Sequence, residues 1–300
     1  MRDLNFALKN LCESNRDGSR STQAARSRAL DLIASQLESL NFLHLSPNGL
    51  KSKHINALLK LWNHQAISIG TIKNRLSYLR WWANKIGKHN IIPNSNSSLN
   101  IPNRCFVSNI SKATDYSSFL IVLDSISDPH IKLSLQLQAA FGLRREESLK
   151  FQPSWADHGD RIVLKSSWCK GGKQRSIPIT SSHQRLLLDQ AHSLVGSSSL
   201  IPSHRSYIQQ VRLYHYLTSN LGLHKLHGLR HFYAQHRYFL LTGWLSPADG
   251  GPSKHSVLIS DCLSQEQKLA WIKSDLDARL TISNELGHHR INVTSVYLGK

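Results

Sequence analysis

The run Leu-Gly-His-His-Arg-Ile-Asn-Val-Thr-Ser-Val-Tyr, residues 286–297, places His288 nine residues before Tyr297, and Tyr297 lies three residues from the end of a 300-residue chain. Two upstream clusters answer it: Gly-Leu-Arg-Arg-Glu-Glu at 142–147 and His-Gly-Leu-Arg-His at 227–231. Together they supply a phenol, two arginines and several histidines, a set suited to attack on a phosphodiester without a metal. A phenol ionises near pH 10, so only about one part in a thousand is phenolate at neutral pH. As a nucleophile it needs an adjacent base or strong local positive charge. Negative charge gathers on the phosphoryl oxygens in the transition state. Arginine fits that charge because it stays protonated and its planar fork grips two oxygens. Preorganised donors of this kind are often the largest catalytic contribution, about 3–4 kcal/mol for each one lost.

These clusters resemble the boxes of the tyrosine recombinases, the phage-type integrases; the long interval before the last box and the end at Lys300 further resemble a subgroup carried on mobile elements. Arg144 matches the first arginine of a Gly-Leu-Arg-x-x-Glu pattern, with Glu147 at its acidic position. His227 and Arg230 match a His-x-x-Arg box, His288 the histidine of a Leu-Gly-His box, and Tyr297 the nucleophile. One box alone says little in a chain with 17 histidines; three in order, with the tyrosine in register, are specific. The family also uses a lysine on a β-hairpin between the first two boxes. Residues 161–165 and 174–179 read as short strands flanking Lys170-Gly-Gly-Lys173, whose glycines permit a turn. Lys170 is taken as that lysine, with Lys173 as the alternative or as a DNA contact.

The resemblance implies a site-specific recombinase that acts through a 3′-phosphotyrosine intermediate. Tyr297 attacks the scissile phosphate, Arg144, Arg230 and His288 hold its oxygens, His227 positions or takes a proton, and Lys170 protonates the leaving 5′-oxygen. No cofactor and no metal are implied. The implied partners are double-stranded DNA, a homotetramer on two DNA sites, and an accessory directionality factor; the implied location is the cytoplasm, on a bacterial nucleoid. A type IB topoisomerase-like relaxing enzyme, or an inactive DNA-binding relative, are the alternatives. Plain rivals exist at single positions. Arg145 adjoins Arg144. Glu147 would repel a phosphate and is expected to orient a neighbour. His227 and His231 are four apart but lack an acidic or cysteine partner to complete a metal site. Tyr233 and Tyr238 lie among apolar residues and are expected to pack in the core.

Composition agrees. The net charge is +18, from 37 Lys and Arg against 19 Asp and Glu, which favours a polyanionic partner. Apolar stretches such as 238–241 fall far short of the roughly 20 residues that span a bilayer. No signal-peptide pattern opens the chain. The four cysteines are scattered without a Cys-x-x-Cys pair, against a zinc site or a secreted disulfide framework. From Ser39 to Thr114 there is no acidic residue. Within that stretch Lys51, Lys53, Lys73, Arg75 and Arg80 are candidates to meet phosphates, joined by Lys173 on the hairpin.

The periodicity predicts a mainly α fold with one small β-hairpin: a helical, DNA-clamping core-binding domain over 1–104, and an α+β catalytic domain over 105–300. Helices are expected at 22–44, 52–66 and from an N-cap at Thr71 to Gly87, then at 115–127, 131–150, 181–194, 206–219 and 231–240. Trp81 and Trp82 are expected in the core. The Asn-, Ser- and Pro-rich segment 89–104 reads as the interdomain linker. The interval of 58 residues from Arg230 to His288 is long for the family, so 243–280 reads as an insertion with a helix at 264–273, expected to contact a neighbouring protomer. The chain stops at Lys300, where many family members continue into a helix that docks on a neighbour.

Overall fold

The computed structural model describes residues 3–288 and 290–300, which fall into two compact units, Met1–Cys105 and Phe106–Lys300. The described residues are mainly helical with a single two-stranded sheet, as the periodicity predicts.

The first unit is built on four helices, α1 (Asp3–Ser14), α2 (Arg20–Ser39), α3 (Ser52–His64) and α4 (Ile69–Lys85). Helix α1 went unread in the sequence; it packs on α2 through Leu4, Leu8 and Cys12. Helix α2 ends five residues early, because Asn41 and His44 adopt left-handed backbone. The cap of α4 is Ser68, whose hydroxyl accepts from the Thr71 amide, so Thr71 is the residue capped. Leu30, Ile33, Leu37, Leu58, Trp62, Leu76, Leu79 and Trp82 close the core. Trp82 lies inside it, while Trp81 is half-buried, donates to Asp17 at 2.9 Å and is covered by the Arg26 guanidinium. Residues 89–104 do not hang free. Ile92 and Ile101 are buried in this core, and Arg104 donates to the Gly70 carbonyl and to Asn74.

The second unit opens with α5 (Tyr116–Leu123), α6 (Pro129–Phe141), α7 (Arg145–Leu149) and α8 (Pro153–Ala156). The single helix expected over 131–150 is broken at Gly142, which has φ +60°, and a Cβ there would lie 2.5 Å from the Tyr233 ring. The break frees Arg144 from helical geometry. Strands β1 (Arg161–Leu164) and β2 (Arg175–Pro178) pair antiparallel, Leu164 opposite Arg175. Ile162, Leu164 and Ile177 face the core, and Lys170 and Lys173 stand exposed in the connection. Helices α9 (Ser182–Val195), α10 (Tyr207–Asn220) and α11 (Gly228–Thr242) follow, then a short α12 (Lys254–Leu258). The helix expected at 264–273 is far longer: α13 spans Gln265–Glu285 and runs up to the Leu-Gly-His box. Helix α14 (Ile291–Leu298) carries Tyr297. Helices α6, α11, α13 and α14 surround one core in which Phe141, Tyr238, Ile282 and Leu298 are fully buried.

Candidate active site

Two glycine turns, at Gly142 and Gly287, shape the chain beside the first and third boxes. At the end of α13, Gly287 takes φ +66°, and the His288 amide turns back to donate to the Ser283 carbonyl at 2.9 Å. That is the glycine-terminated helix end that left-handed backbone permits. A Cβ on Gly287 would meet the Arg175 side chain at 2.8 Å, so the turn is as tight as it is curved.

Arg230, on the first turn of α11, is the hub and is only 1% exposed. It donates to the carbonyls of Gly142 and Leu286, so it ties the first box to the third. Its Nη2 lies 3.2 Å from His288 Nε2, and its Nε donates to the Tyr297 hydroxyl at 3.4 Å. Burial, with Arg144 nearby, lowers its guanidinium to about 10, still protonated at neutral pH. The Tyr297 hydroxyl also lies 3.1 Å from His227 Nε2. Burial, then the charges of Arg230 and Arg144, lowers both His227 and His288, the latter to about 3. Both rings are therefore neutral at pH 7. His227 can accept the phenol proton while Arg230 donates to the phenol oxygen.

Arg144 is held by Glu147, which accepts from its backbone amide at 2.7 Å and from its guanidinium at 2.8 Å. Glu147 is fully buried and also takes a two-pronged pair from Arg175, at 2.7 and 2.6 Å. Burial alone would raise this carboxyl. The hydrogen bonds and charge of Arg175, and then of Arg144, outweigh that and hold it at about 2. Arg175 further donates to the Glu285 carbonyl at 2.8 Å, at the root of the His288 turn. Arg175 read only as a strand residue in the sequence; a β-strand arginine whose partners lie 28 and 110 residues away leaves no local pattern. Glu147 orients a neighbour, as its chemistry suggested.

The other candidates are placed as follows. Arg144, Lys170 and His227 line one cleft of about 490 Å³, with Arg145, His215, His224 and Lys225 also on its walls and no carboxylate among its lining. Arg145, on the same cleft, lies 2.6 Å from His215. Lys165, the last residue of the first strand region read in the sequence, lies over the Trp155 ring and donates to Gln152. Tyr233 donates to Glu285 and Tyr238 to Asp275, and burial raises both phenols, so neither is poised as a nucleophile. His231 sits under the Tyr297 ring at 4.4 Å and is lowered to about 4, by burial and then by His227 and Lys112. Among the described residues no group of three or more His, Cys, Asp or Glu is arranged to hold a metal, and no helix is long and apolar enough to cross a membrane.

In the first unit Lys51 and Lys53 are exposed and Lys73 is half-exposed. Arg75 lies over the Trp62 ring at 5.2 Å. Arg80 donates twice to the Pro93 carbonyl and once to Asn96, so it fastens the 93–96 segment.

A family model described as "Phage integrase, N-terminal" matches residues 1–92, and one described as "Integrase" matches residues 107–236. The chain belongs to the tyrosine recombinases. Solved structures share the fold of this recombinase at low identity. A XerH site-specific recombinase bound to palindromic difH substrate is 16% identical with a TM-score of 0.60, covering 99% of this chain and 81% of that one. A lambda integrase dimer bound to a COC′ core site is 15% identical with a TM-score of 0.59, covering 98% and 94%. The Tn1549 transposon integrase in complex with circular intermediate DNA is 11% identical with a TM-score of 0.55, covering 100% and 96%. No curated protein sequence matches the chain. The matched integrase segment ends at residue 236, so it holds Arg144, Lys170, His227 and Arg230. His288 and Tyr297 lie beyond it, with His288 Nε2 at 3.2 Å and the Tyr297 hydroxyl at 3.4 Å from the Arg230 guanidinium.

Proposed function

We propose that this recombinase cuts and rejoins DNA strands at specific sites, with Tyr297 as nucleophile. The Tyr297 oxygen bonds to phosphorus, its proton passes to His227, and the bond from phosphorus to the 5′-oxygen breaks. Lys170 supplies the proton that the 5′-oxygen gains. Arg144, Arg230 and His288 hold the phosphoryl oxygens, and Glu147 with Arg175 fixes Arg144. A 5′-hydroxyl from a partner strand reverses the sequence. Bond energy is retained in the phosphotyrosine link, so neither ATP nor a metal is required. The observation that carries this reading is the Tyr297 hydroxyl between a neutral imidazole at 3.1 Å and a buried guanidinium at 3.4 Å. His227 also lines the cleft that carries four Lys or Arg side chains and no carboxylate.

The two units are a core-binding domain and a catalytic domain, with Lys51, Lys53, Lys73, Arg75 and Lys173 meeting phosphates. Four protomers act on two duplexes through a Holliday junction, in the cytoplasm on the nucleoid, with an accessory factor setting direction. The segment 243–280 supplies part of the protomer contact. Trp271 is buried and stacks on Trp244 at 5.8 Å, but Leu269, Leu276 and Leu280 share one exposed face of α13. A two-site recombination assay beside supercoil relaxation tests the function. Exchange of flanking DNA between two sites is expected. Relaxation without exchange indicates a topoisomerase, and binding without either indicates an inactive relative.

A further inference from the structure

His227, at the N-terminal boundary of α11, is followed along one face of that helix by His231 and Gln235, each four residues on. Residues at this spacing share one helix face. All three contact Tyr297, in order along its length. His227 meets the hydroxyl, His231 lies under the ring, and Gln235 Nε2 donates to the Tyr297 carbonyl at 3.0 Å. That carbonyl is in the last turn of α14, where helix carbonyls lack partners within the helix. Gln235 is 5% exposed, and its other end is also committed: Ser111 donates to its Oε1 at 2.9 Å. The Ser111 hydroxyl accepts from the Ala113 amide at 3.2 Å, which directs its own hydrogen to Gln235. The amide of Gln235 is thereby oriented, its NH₂ toward the nucleophile's main chain.

We infer that Gln235, oriented by Ser111, is a positioning residue for the nucleophile in the cleavage step proposed above. It touches neither phosphate nor the reacting oxygen. It fixes the main chain from which the phenol projects, while His227 and Arg230 fix the phenol itself. The depth to which Tyr297 reaches into the site is set at both ends. In-line attack tolerates little misplacement; a shift of about 1 Å costs on the order of a hundredfold in rate. The segment 109–114 holds the end of α14 a second time, since Asn109 accepts from the Lys300 amide at 2.9 Å. Ser111 is thus placed to pass strain in that segment to the nucleophile.

The test is single-turnover cleavage at saturating protein, on a nicked duplex chosen from a randomised pool for its yield of covalent adduct. Gln235→Met keeps the length and loses the donor; Gln235→Ala loses both. Each should lower the rate constant by roughly tenfold or more, with unchanged amplitude and with DNA affinity within about twofold of wild type. Loss of fold would lower amplitude and affinity instead. On a duplex with sulfur replacing the bridging 5′-oxygen, whose leaving group needs no proton, Lys170→Ala should recover and the Gln235 variants should stay slow. Ser111→Ala should slow cleavage less than Gln235→Ala, and Ser111→Thr, which keeps the hydroxyl, should retain more of the rate. The double variant should be no slower than Gln235→Ala alone, because Ser111 acts through Gln235. Wild-type rate constants in the Gln235 variants overturn the assignment. Should those variants lose amplitude, Ser111→Ala decides: a slowed rate at full amplitude supports it and a wild-type rate overturns it. Adduct in Tyr297→Phe would instead remove the nucleophile reading itself.

Discussion

Removal of Arg175 strands a charge. Glu147 is fully buried, and its carboxyl sits at about 2 against an ordinary 4.5. That depression corresponds to stability on the order of 3 kcal/mol at neutral pH. Because the folded value lies below the ordinary one, that stabilisation is present above pH 4.5 and disappears as pH falls toward 2. Arg175→Met removes the two-pronged partner and leaves only Arg144. Breaking a buried pair on one side typically costs about 3–5 kcal/mol, a large share of a domain's total of roughly 5–15. Burial then pushes Glu147 upward, so the variant loses stability as pH rises past the ordinary carboxylate range. The gap between wild type and variant should therefore be small near pH 2, widen as pH rises through the carboxylate range, and level off once Glu147 is ionised in the variant too. Hydrogen exchange of peptides covering α7 and β2, across a urea series at each pH, reads the catalytic unit separately from the first unit. Adding Glu147→Gln to Arg175→Met should recover part of the loss, since no buried charge is left. A gap that does not vary from pH 3 to 8, or a double variant no more stable than Arg175→Met, refutes the reasoning.

Arg144→Ala should slow cleavage on the order of a hundredfold or more and Arg145→Ala much less, measured by single-turnover adduct formation; a more sensitive Arg145 would shift the register of the first box. Because burial and the nearby arginines lower His227 from its ordinary 6.5, its proposed role as neutral base predicts a cleavage rate that is level at neutral pH and falls only as the pH drops below 6.5. In His227→Ala that inflection should vanish with most of the rate, and its persistence would assign the base elsewhere. Binding should weaken steeply with salt, and each of Lys51→Ala, Lys53→Ala and Lys73→Ala should flatten the log–log slope by roughly 0.9 if it meets one phosphate. Arg80→Ala should leave the slope nearly unchanged and loosen exchange protection around residues 93–96, since its guanidinium is bonded there; a slope change equal to that of the lysines would place Arg80 on phosphate.

The chemistry was legible because few residue types can do it and each box is short. Gly142-Leu-Arg144, His227-x-x-Arg230 and Leu-Gly-His288 carry their meaning within a handful of residues; the family matches agree with the family read from them, and the helical model with the fold expected. Helix boundaries were read less well where two local signals compete. The apolar period runs on through Leu143 and Leu149, so the break at Gly142 is masked until its backbone is seen to be left-handed. Ser68 and Thr71 are both hydroxyl residues at one helix start, and only geometry shows which accepts from which. The supporting residues were not legible at all. Ser111 and Gln235 are 124 residues apart, and Arg175 reaches Glu147 across 28. A lone glutamine, serine or strand arginine acquires its role from tertiary proximity. Segment 89–104 misled for a related reason: its Asn, Ser and Pro look like a free connector, while buried Ile92 and Ile101 fix it to the first unit.

The central claim is that Tyr297 becomes bonded to DNA. Protein incubated with the nicked duplex can be denatured, digested with trypsin and nuclease, and its peptides sequenced by mass spectrometry. The account predicts a nucleotide phosphate on the tryptic peptide Ile291–Lys300, carried by Tyr297, and no adduct in Tyr297→Phe. An adduct on Tyr233, Tyr238 or any other side chain, or one that survives in Tyr297→Phe, would contradict it.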